Sequence, residues 1–366
     1  GLECQKEHFK NETLTKKHPN HQIENELLFK FKARALKIIR EFQVTQSNFN
    51  LEEFEEVFRG NKKDQNYKVI DFFDETINNL KRVGKIGSAK AFIDTKLSLI
   101  KYSGRHFTFK DITLNFLEEY TMYLRENGNK NGGIAFKMRE LRSIFNQARK
   151  QKIIPKEPYP FDDYKISKLK SDIPKRALSI SDFKKIRNVD LSNNPHLVEA
   201  YNYFMFSIYT RGMNFHDMML LKWSDIQNNR IHYTRSKTKG KFNIEVIENV
   251  QEILDYYKTQ NRPTNYVFPI LLKENLTPNQ IENRKHKVLR RYNRKLKEIG
   301  SLAGVETKIT SYVARHSFAT ILKMSGTPVE KISEMMGHSD VSITMSYLKE
   351  FSNEDLDKEN RKFIDL

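Results

Sequence analysis

Apolar residues recur at three- and four-residue steps along most of the chain, the period of helices that bury one face. The first run, Ile23, Leu27, Leu28, Phe31, Ala35, Ile38, Ile39 and Phe42, predicts a helix over 23–42. Lys30, Lys32, Arg34, Lys37 and Arg40 are interleaved with it, so its polar face is expected to meet either solvent or an anionic partner. The polar stretch 60–66 has the composition of a linker. Four helical patterns follow near 68–83, 87–101, 111–127 and 132–150, broken by Gly84, Gly87, Gly104 and Asn127-Gly128-Asn129, and together they predict an all-α bundle. In the last of them Ile134, Met138, Leu141, Phe145 and Ala148 form the stripe expected to be buried. Arg139, Arg142, Asn146 and Arg149 share another face, where the arginines could neutralise successive phosphates.

Pro155, Pro158 and Pro160 then block helix continuation, and Lys165, Lys168, Lys170 and Arg176 resist compaction. The stretch 153–177 is therefore expected to be extended and to lie along DNA, with 161–177 as the linker between domains at 63–160 and 178–366. Helical patterns resume near 180–187, 195–210 and 214–221. Two β-type runs, Arg230–Arg235 and Phe242–Val246, are joined by a lysine-rich tip that includes Lys237 and Lys239, which predicts a hairpin. Six more helical patterns lie near 248–260, 278–299, 311–325, 328–336, 340–349 and 352–364. The expected fold is mainly α with a small β-sheet.

Charge narrows the partner. Of the 366 residues 64 are Lys or Arg and 46 are Asp or Glu, a formal charge of +18 that calls for a polyanion. One cysteine, Cys4, excludes an internal disulfide and any multi-cysteine metal site and fits a reducing compartment, so the cytoplasm is expected. The longest strongly apolar stretch, Tyr201–Tyr209, is about half of the roughly 20 residues that a membrane helix needs. The start of the chain has no initiating Met, and a trimmed piece of something longer is expected. His-Glu-x-x-His, the phosphate-cradling Gly-x-x-x-x-Gly-Lys-Ser/Thr and Gly-x-Ser-x-Gly are all missing, which removes the usual signs of metalloproteases, ATP users and serine hydrolases. Scattered Asp and Glu leave a two-metal nuclease open.

Specific signals gather in the C-terminal third. Tyr312-Val-Ala-Arg315-His316 is followed by Gly337-His338, and Tyr347 stands nine positions after that histidine. These segments resemble the His-x-x-Arg-His helix and the Leu-Gly-His box with its nucleophilic tyrosine in the tyrosine recombinase, or phage integrase, family. Residues 209–226, ending in Leu221-Lys222-Trp223-Ser224-Asp225-Ile226, resemble that family's first-arginine box. The hairpin 233–244 is similar to the one that presents the family's catalytic lysine, and counting back from its second strand favours Lys237 over Lys239. The resemblance covers roughly 178–366 and, more weakly, 66–160, and it implies a helical, SAM-like core-binding domain followed by a mixed α/β catalytic domain.

The chemistry implied by the resemblance can be rebuilt from the side chains. A tyrosine hydroxyl, of reference pKa about 10, needs cationic neighbours before it attacks a phosphodiester. Fixed guanidinium and imidazole donors stabilise the charge that grows on the non-bridging oxygens, a role suited to Arg315 and His338. The departing 5′-oxygen needs a proton, for which Lys237 is the candidate acid. The product, a 3′-phosphotyrosine at Tyr347, conserves bond energy, so no metal, ATP or other cofactor is expected.

Two positions break the family pattern. Asn214 stands where the first arginine is usual, and Arg211 is expected to replace it in space through its long, forked side chain. Tyr312 stands where a histidine is usual; it can orient a phosphate oxygen but is a poor acid or base near neutral pH. Both departures resemble integrases of Bacteroides-type mobile elements. On that likeness residues 1–62 are a remnant of an arm-binding domain with its coupling helix. The implied partner is double-stranded DNA held by a two-domain clamp, with Arg139, Arg142, Arg149, Lys168, Lys170 and Lys239 as DNA contacts. The implied assembly is a homotetramer on two DNA sites, with a Holliday-junction intermediate, possible accessory DNA-bending proteins and the pattern at 352–364 packed on a neighbouring protomer. Integration and excision of a mobile element, at the bacterial nucleoid, is the expected task. A DNA invertase or resolvase with the same chemistry and a catalytically silent DNA-binding relative are the alternatives.

Overall fold

The computed structural model describes residues 6–45, 51–58, 67–169, 176–345, 348, 357, 360 and 361. By its internal contacts the chain forms two compact units, Gly1–Asn78 with Ala91–Lys170, and Asn79–Lys90 with Ser171–Leu366.

The first unit opens with two-residue strands β1 (Phe9–Lys10) and β2 (Thr13–Leu14), paired antiparallel, and the long helix α1 (His21–Thr45). A short α2 (Leu51–Phe58), which the periodicity did not single out, meets α1 through Phe58 and Phe31, their rings 6.2 Å apart. The stripe expected to be buried along α1 is only partly covered. Ile38 is buried, whereas Ile23, Leu27 and Phe31 stay exposed, because among the described residues only α2 and the small hairpin pack closely on this helix.

The bundle consists of α3 (Val69–Arg82), α4 (Ile86–Ser103), α5 (Leu114–Glu126) and α6 (Asn131–Lys150). All five residues of the α6 stripe are buried, as its spacing predicts, together with Phe72, Phe73, Leu99, Leu117 and Tyr120. Thr113 caps α5 by accepting the Phe116 N–H at 3.1 Å, and Tyr120 donates to Ser98 Oγ at 2.7 Å, which ties α5 to α4.

The expected linker is a correction. Most of 153–169 is folded onto the bundle rather than extended: Ile154, Phe161 and Ile166 are buried, and the Tyr164 hydroxyl hydrogen-bonds with Thr121. Rings of Tyr159 and Phe161 lie 5.8 and 5.9 Å from Phe145. The prolines do prevent a helix, but the apolar residues spaced between them are anchors, and burying those side chains outweighs the solvation of the lysines. The described chain resumes at Arg176, and Ala177 and Leu178 are already buried in the second unit.

That unit contains α7 (Ile180–Arg187), α8 (Val198–Tyr209), α9 (Phe215–Leu220), α10 (Glu248–Lys258), α11 (Pro278–Leu302), α12 (Ser311–Met324), α13 (Val329–Met335) and α14 (Val341–Met345). Its sheet is the antiparallel order β3 (Ile226–Gln227), β4 (Arg230–Thr234), β5 (Lys241–Glu245). Register pairs Ile231 with Ile244 and Tyr233 with Phe242, and β3 is a strand the sequence pattern missed. The core is built on α8, where every residue from Asn202 to Ile208 is buried, the signature of a helix enclosed on all sides. Tyr203 meets Phe268 and Tyr292 edge-on, each 5.5 Å away. A smaller apolar cluster of Ala319, Ile332, Met336 and Leu348 joins α12 and α13 to the chain after α14. The helix expected over 340–349 is assigned only as far as Met345, and most of the pattern at 352–364 lies outside the described residues.

Phe206 is fully buried at the middle of this core. Phe206→Ala is expected to lower stability by about 3–5 kcal/mol, seen as a lower denaturant midpoint with an unchanged slope.

Candidate active site

Two helix ends build the site. Helix α13 stops at Gly337, whose φ of +63° is the left-handed conformation that suits glycine. The Gly337 N–H bonds to Glu334 O at 2.9 Å and the His338 N–H to Ser333 O at 3.1 Å, a double closure that fixes His338 just beyond the helix. A side chain at Gly337 would be impossible without movement, since a Cβ would stand 2.4 Å from Phe242 Cζ. Helix α8 ends in the same manner, with Gly212 N–H bonded to Ser207 O at 2.8 Å and Arg211 held at φ 58°.

Arg315, on α12 and only 4% exposed, joins the two turns. Its Nη1 donates to Gly212 O at 3.0 Å and its Nη2 to Met336 O at 2.8 Å. Gly212 permits this approach, because a Cβ there would lie 3.0 Å from Arg315 Cγ. Nη2 also lies 3.0 Å from His338 Nε2, so the structure brings together two of the residues that the motifs single out. Burial, with Arg315 and then Arg235 nearby, lowers the His338 pKa from 6.5 to about 4 and keeps the imidazole neutral.

A second guanidinium shares the Met336 carbonyl, and it is Arg235 rather than Arg211: Arg235 Nη1 donates to Met336 O at 3.4 Å. Arg235 is 8% exposed, and its Nε is buried with no hydrogen-bond partner among the described residues. No described carboxylate pairs with it. The signal for this residue was present in the strand's period of two, since Ile231, Tyr233 and Arg235 face one way. Arg211 stays near in a looser sense, its charge reaching the Tyr233 phenol along with those of Arg315 and Arg235. Burial and then Asp217 raise the Tyr233 pKa against these cations.

Asn214, which occupies the missing arginine's place in the sequence, caps α9. Its Oδ1 accepts the N–H groups of His216 and Asp217 at 3.1 and 3.2 Å, and its Nδ2 donates to Asp217 Oδ2 at 2.6 Å. Asp217 Oδ1 then accepts the Ser236 N–H at 2.9 Å, so this acidic group anchors the hairpin next to the site. The tip is closed by Arg235 N–H to Gly240 O at 2.8 Å and Lys239 N–H to Arg235 O at 2.9 Å. Lys237 and Lys239 are exposed on it.

The remaining sequence candidates divide. Tyr312 is 56% exposed on the first turn of α12, its ring edge-on to His316 at 4.5 Å. Tyr347 and Lys170 lie outside the described residues. Thr344 and Leu348, which bracket Tyr347, are both buried. On α6, Arg139 is exposed and Arg142 partly so, while Arg149 is engaged within the bundle, its guanidinium 4.2 Å from the Tyr159 ring centre and 3.5 Å from Glu157. Lys168 is exposed at the end of the folded strap. Among the described residues no group of His, Cys, Asp and Glu could hold a metal, and no helix is long and apolar enough to cross a membrane.

The sequence model of the phage integrase family matches residues 178–354, and that of the phage integrase SAM-like domain matches 68–166. This chain belongs to the phage integrase family. It is similar to a tyrosine recombinase of Pseudothermotoga lettingae, 23% identical over 80% of this chain and 98% of the relative. Similarity to the tyrosine recombinase XerD of Staphylococcus saprophyticus is 27% over 69% of this chain and 82% of that protein. Among solved structures, the Tn1549 transposon integrase in complex with a circular intermediate DNA shares the fold with a TM-score of 0.59 at 18% identity, covering 80% of this chain and 99% of that one. Lambda integrase, solved as a tetramer bound to a Holliday junction, gives 0.56 at 16%, covering 83% and 85%. Membership of this family makes the chain a site-specific DNA strand-transfer enzyme.

The integrase's imidazole also sets a pH dependence. The unfolded chain takes up a proton at His338 near pH 6.5, whereas the folded chain does so only near pH 4. The folded state is therefore undiminished above the first value and loses stability as the pH falls toward the second. Thermal melts from pH 7 to 4 are expected to show a shallower fall for His338→Asn than for the parent.

Proposed function

We propose that this recombinase cleaves and rejoins DNA through a 3′-phosphotyrosyl link at Tyr347, and that it integrates and excises a mobile element. The observation that carries the chemistry is the pair of buried guanidiniums, Arg235 and Arg315, converging on one carbonyl beside a neutral His338. Two buried guanidiniums on one carbonyl oxygen favour an anion there, and a scissile phosphate is the anion that this family handles. Arg315 and Arg235 then stabilise the non-bridging oxygens, His338 adds a further contact, and Lys237, on the exposed hairpin tip, protonates the departing 5′-oxygen. Tyr312 orients from the rim.

Arg139, Arg142, Lys168, Lys170 and Lys239 supply backbone contacts along the duplex. Arg149 falls outside this set, since it serves Tyr159 and Glu157. The likeness to a transposon integrase and to a tetrameric phage integrase supports the mobile-element role, a homotetramer on paired sites and work at the bacterial nucleoid.

The test is covalent trapping on nicked duplexes from the element's own ends. A denaturant-resistant adduct is expected with the parent and none with Tyr347→Phe; absence of any adduct from a protein that binds the same DNA would leave a silent DNA-binding relative. Arg235→Ala is expected to slow adduct formation by about 100-fold or more. If Arg211→Ala proves the slower variant, the second guanidinium is Arg211 after all.

A further inference from the structure

The histidine of the site makes a second hydrogen bond that the reaction as derived does not use. His338 Nδ1 lies 2.8 Å from Thr344 Oγ1, and Thr344 is completely buried. The directions of both bonds follow from elementary chemistry. A guanidinium nitrogen can only donate, so His338 Nε2, 3.0 Å from Arg315 Nη2, must accept. A neutral imidazole has one N–H, which must then be on Nδ1, and Thr344 Oγ1 accepts it. A partner on each nitrogen sets both the orientation of the ring and its tautomer.

We propose that Thr344 is the positioning residue for His338. It holds the imidazole proton on Nδ1 and reserves Nε2 for the edge of the ring that meets the scissile phosphate. The same arrangement works in both protonation states. In the free protein Nε2 is the acceptor of Arg315. When a phosphate enters and the ring takes a proton from solvent water, Nε2–H and Arg315 become two donors that cannot face each other, so both turn to the phosphate oxygens while Nδ1–H stays on Thr344. The threonine also lies on α14, three residues before Tyr347, so one hydrogen bond couples the imidazole to the segment that leads to the proposed nucleophile.

The proposal rests on the recombinase reading for its role in catalysis, but its structural core is measured without DNA. Two-bond proton–nitrogen spectra of protein labelled with ¹⁵N-histidine separate the Nδ1–H from the Nε2–H form, and His338→Asn identifies the signal. At pH 7 the parent and Thr344→Ser, which keeps the hydroxyl, are expected to show the Nδ1–H form. Thr344→Val, nearly the same shape, is expected to lose it in favour of Nε2–H or a mixture. On suicide duplexes Thr344→Val is expected to form adduct about 100-fold more slowly, with Thr344→Ser recovering most of the rate. An Nε2–H signal in the parent, or an unchanged Nδ1–H signal in Thr344→Val, overturns the proposal. Failure of every variant and of the parent to form adduct would instead count against the recombinase reading, leaving the tautomer result to stand alone.

Discussion

Two arginine side chains held against one main-chain oxygen, that of Met336, are the constraint around which the catalytic unit is arranged. This carbonyl belongs to the last residue before a left-handed glycine, where a helix leaves acceptors that its own amides cannot reach. It carries the partial negative charge of a helix C-terminus and receives cations accordingly. A carbonyl is a weak counter-ion for two full charges. The Arg235 Nε is buried without a hydrogen-bond partner among the described residues, so this guanidinium keeps an unused donor next to that oxygen.

Several otherwise separate features exist to keep that geometry. Gly212 lets α12 come close enough for Arg315 to reach the end of α8. Phe242 fills the space in front of Gly337 and stacks on Tyr233, their ring centres 4.8 Å apart, so the sheet sets the position of the α13 turn. Asp217 binds both the cap of α9 and the first amide of the hairpin tip. The hairpin is thereby tied down beside Arg235, while Lys237 and Lys239 at its tip are exposed. The left-handed Arg211 is a mildly strained residue at a helix end where glycine is usual, and that strain is part of turning the chain so that Gly212 O faces the site.

Next to these two arginines His338 stays neutral. Burial is the larger cause of the depressed pKa, and the charges of Arg315 and then Arg235 add to it, so a protonated ring is disfavoured twice over.

Period and spacing alone determined a good deal about this protein. The α6 stripe, the hairpin, the helix carrying Arg315 and the nine-residue step from His338 to Tyr347 are all local quantities, set by side-chain direction along one element, and they were legible together with the family. Where reading failed, long-range contact was the cause. The strap at 153–169 read as an extended linker because its prolines and lysines are local signals, whereas the pocket that takes Phe161 and Ile166 is made by other helices. The α1 stripe read as buried because amphipathicity says which face is apolar and not whether anything covers it. Arg211 is the nearest arginine along the chain to the vacant place at Asn214, but the guanidinium that joins Arg315 on the Met336 oxygen is that of Arg235, 21 residues further on. Only the tertiary structure could decide that, and with it the pairing of His338 with Thr344, because which charges share an oxygen depends on where separate elements stop and meet.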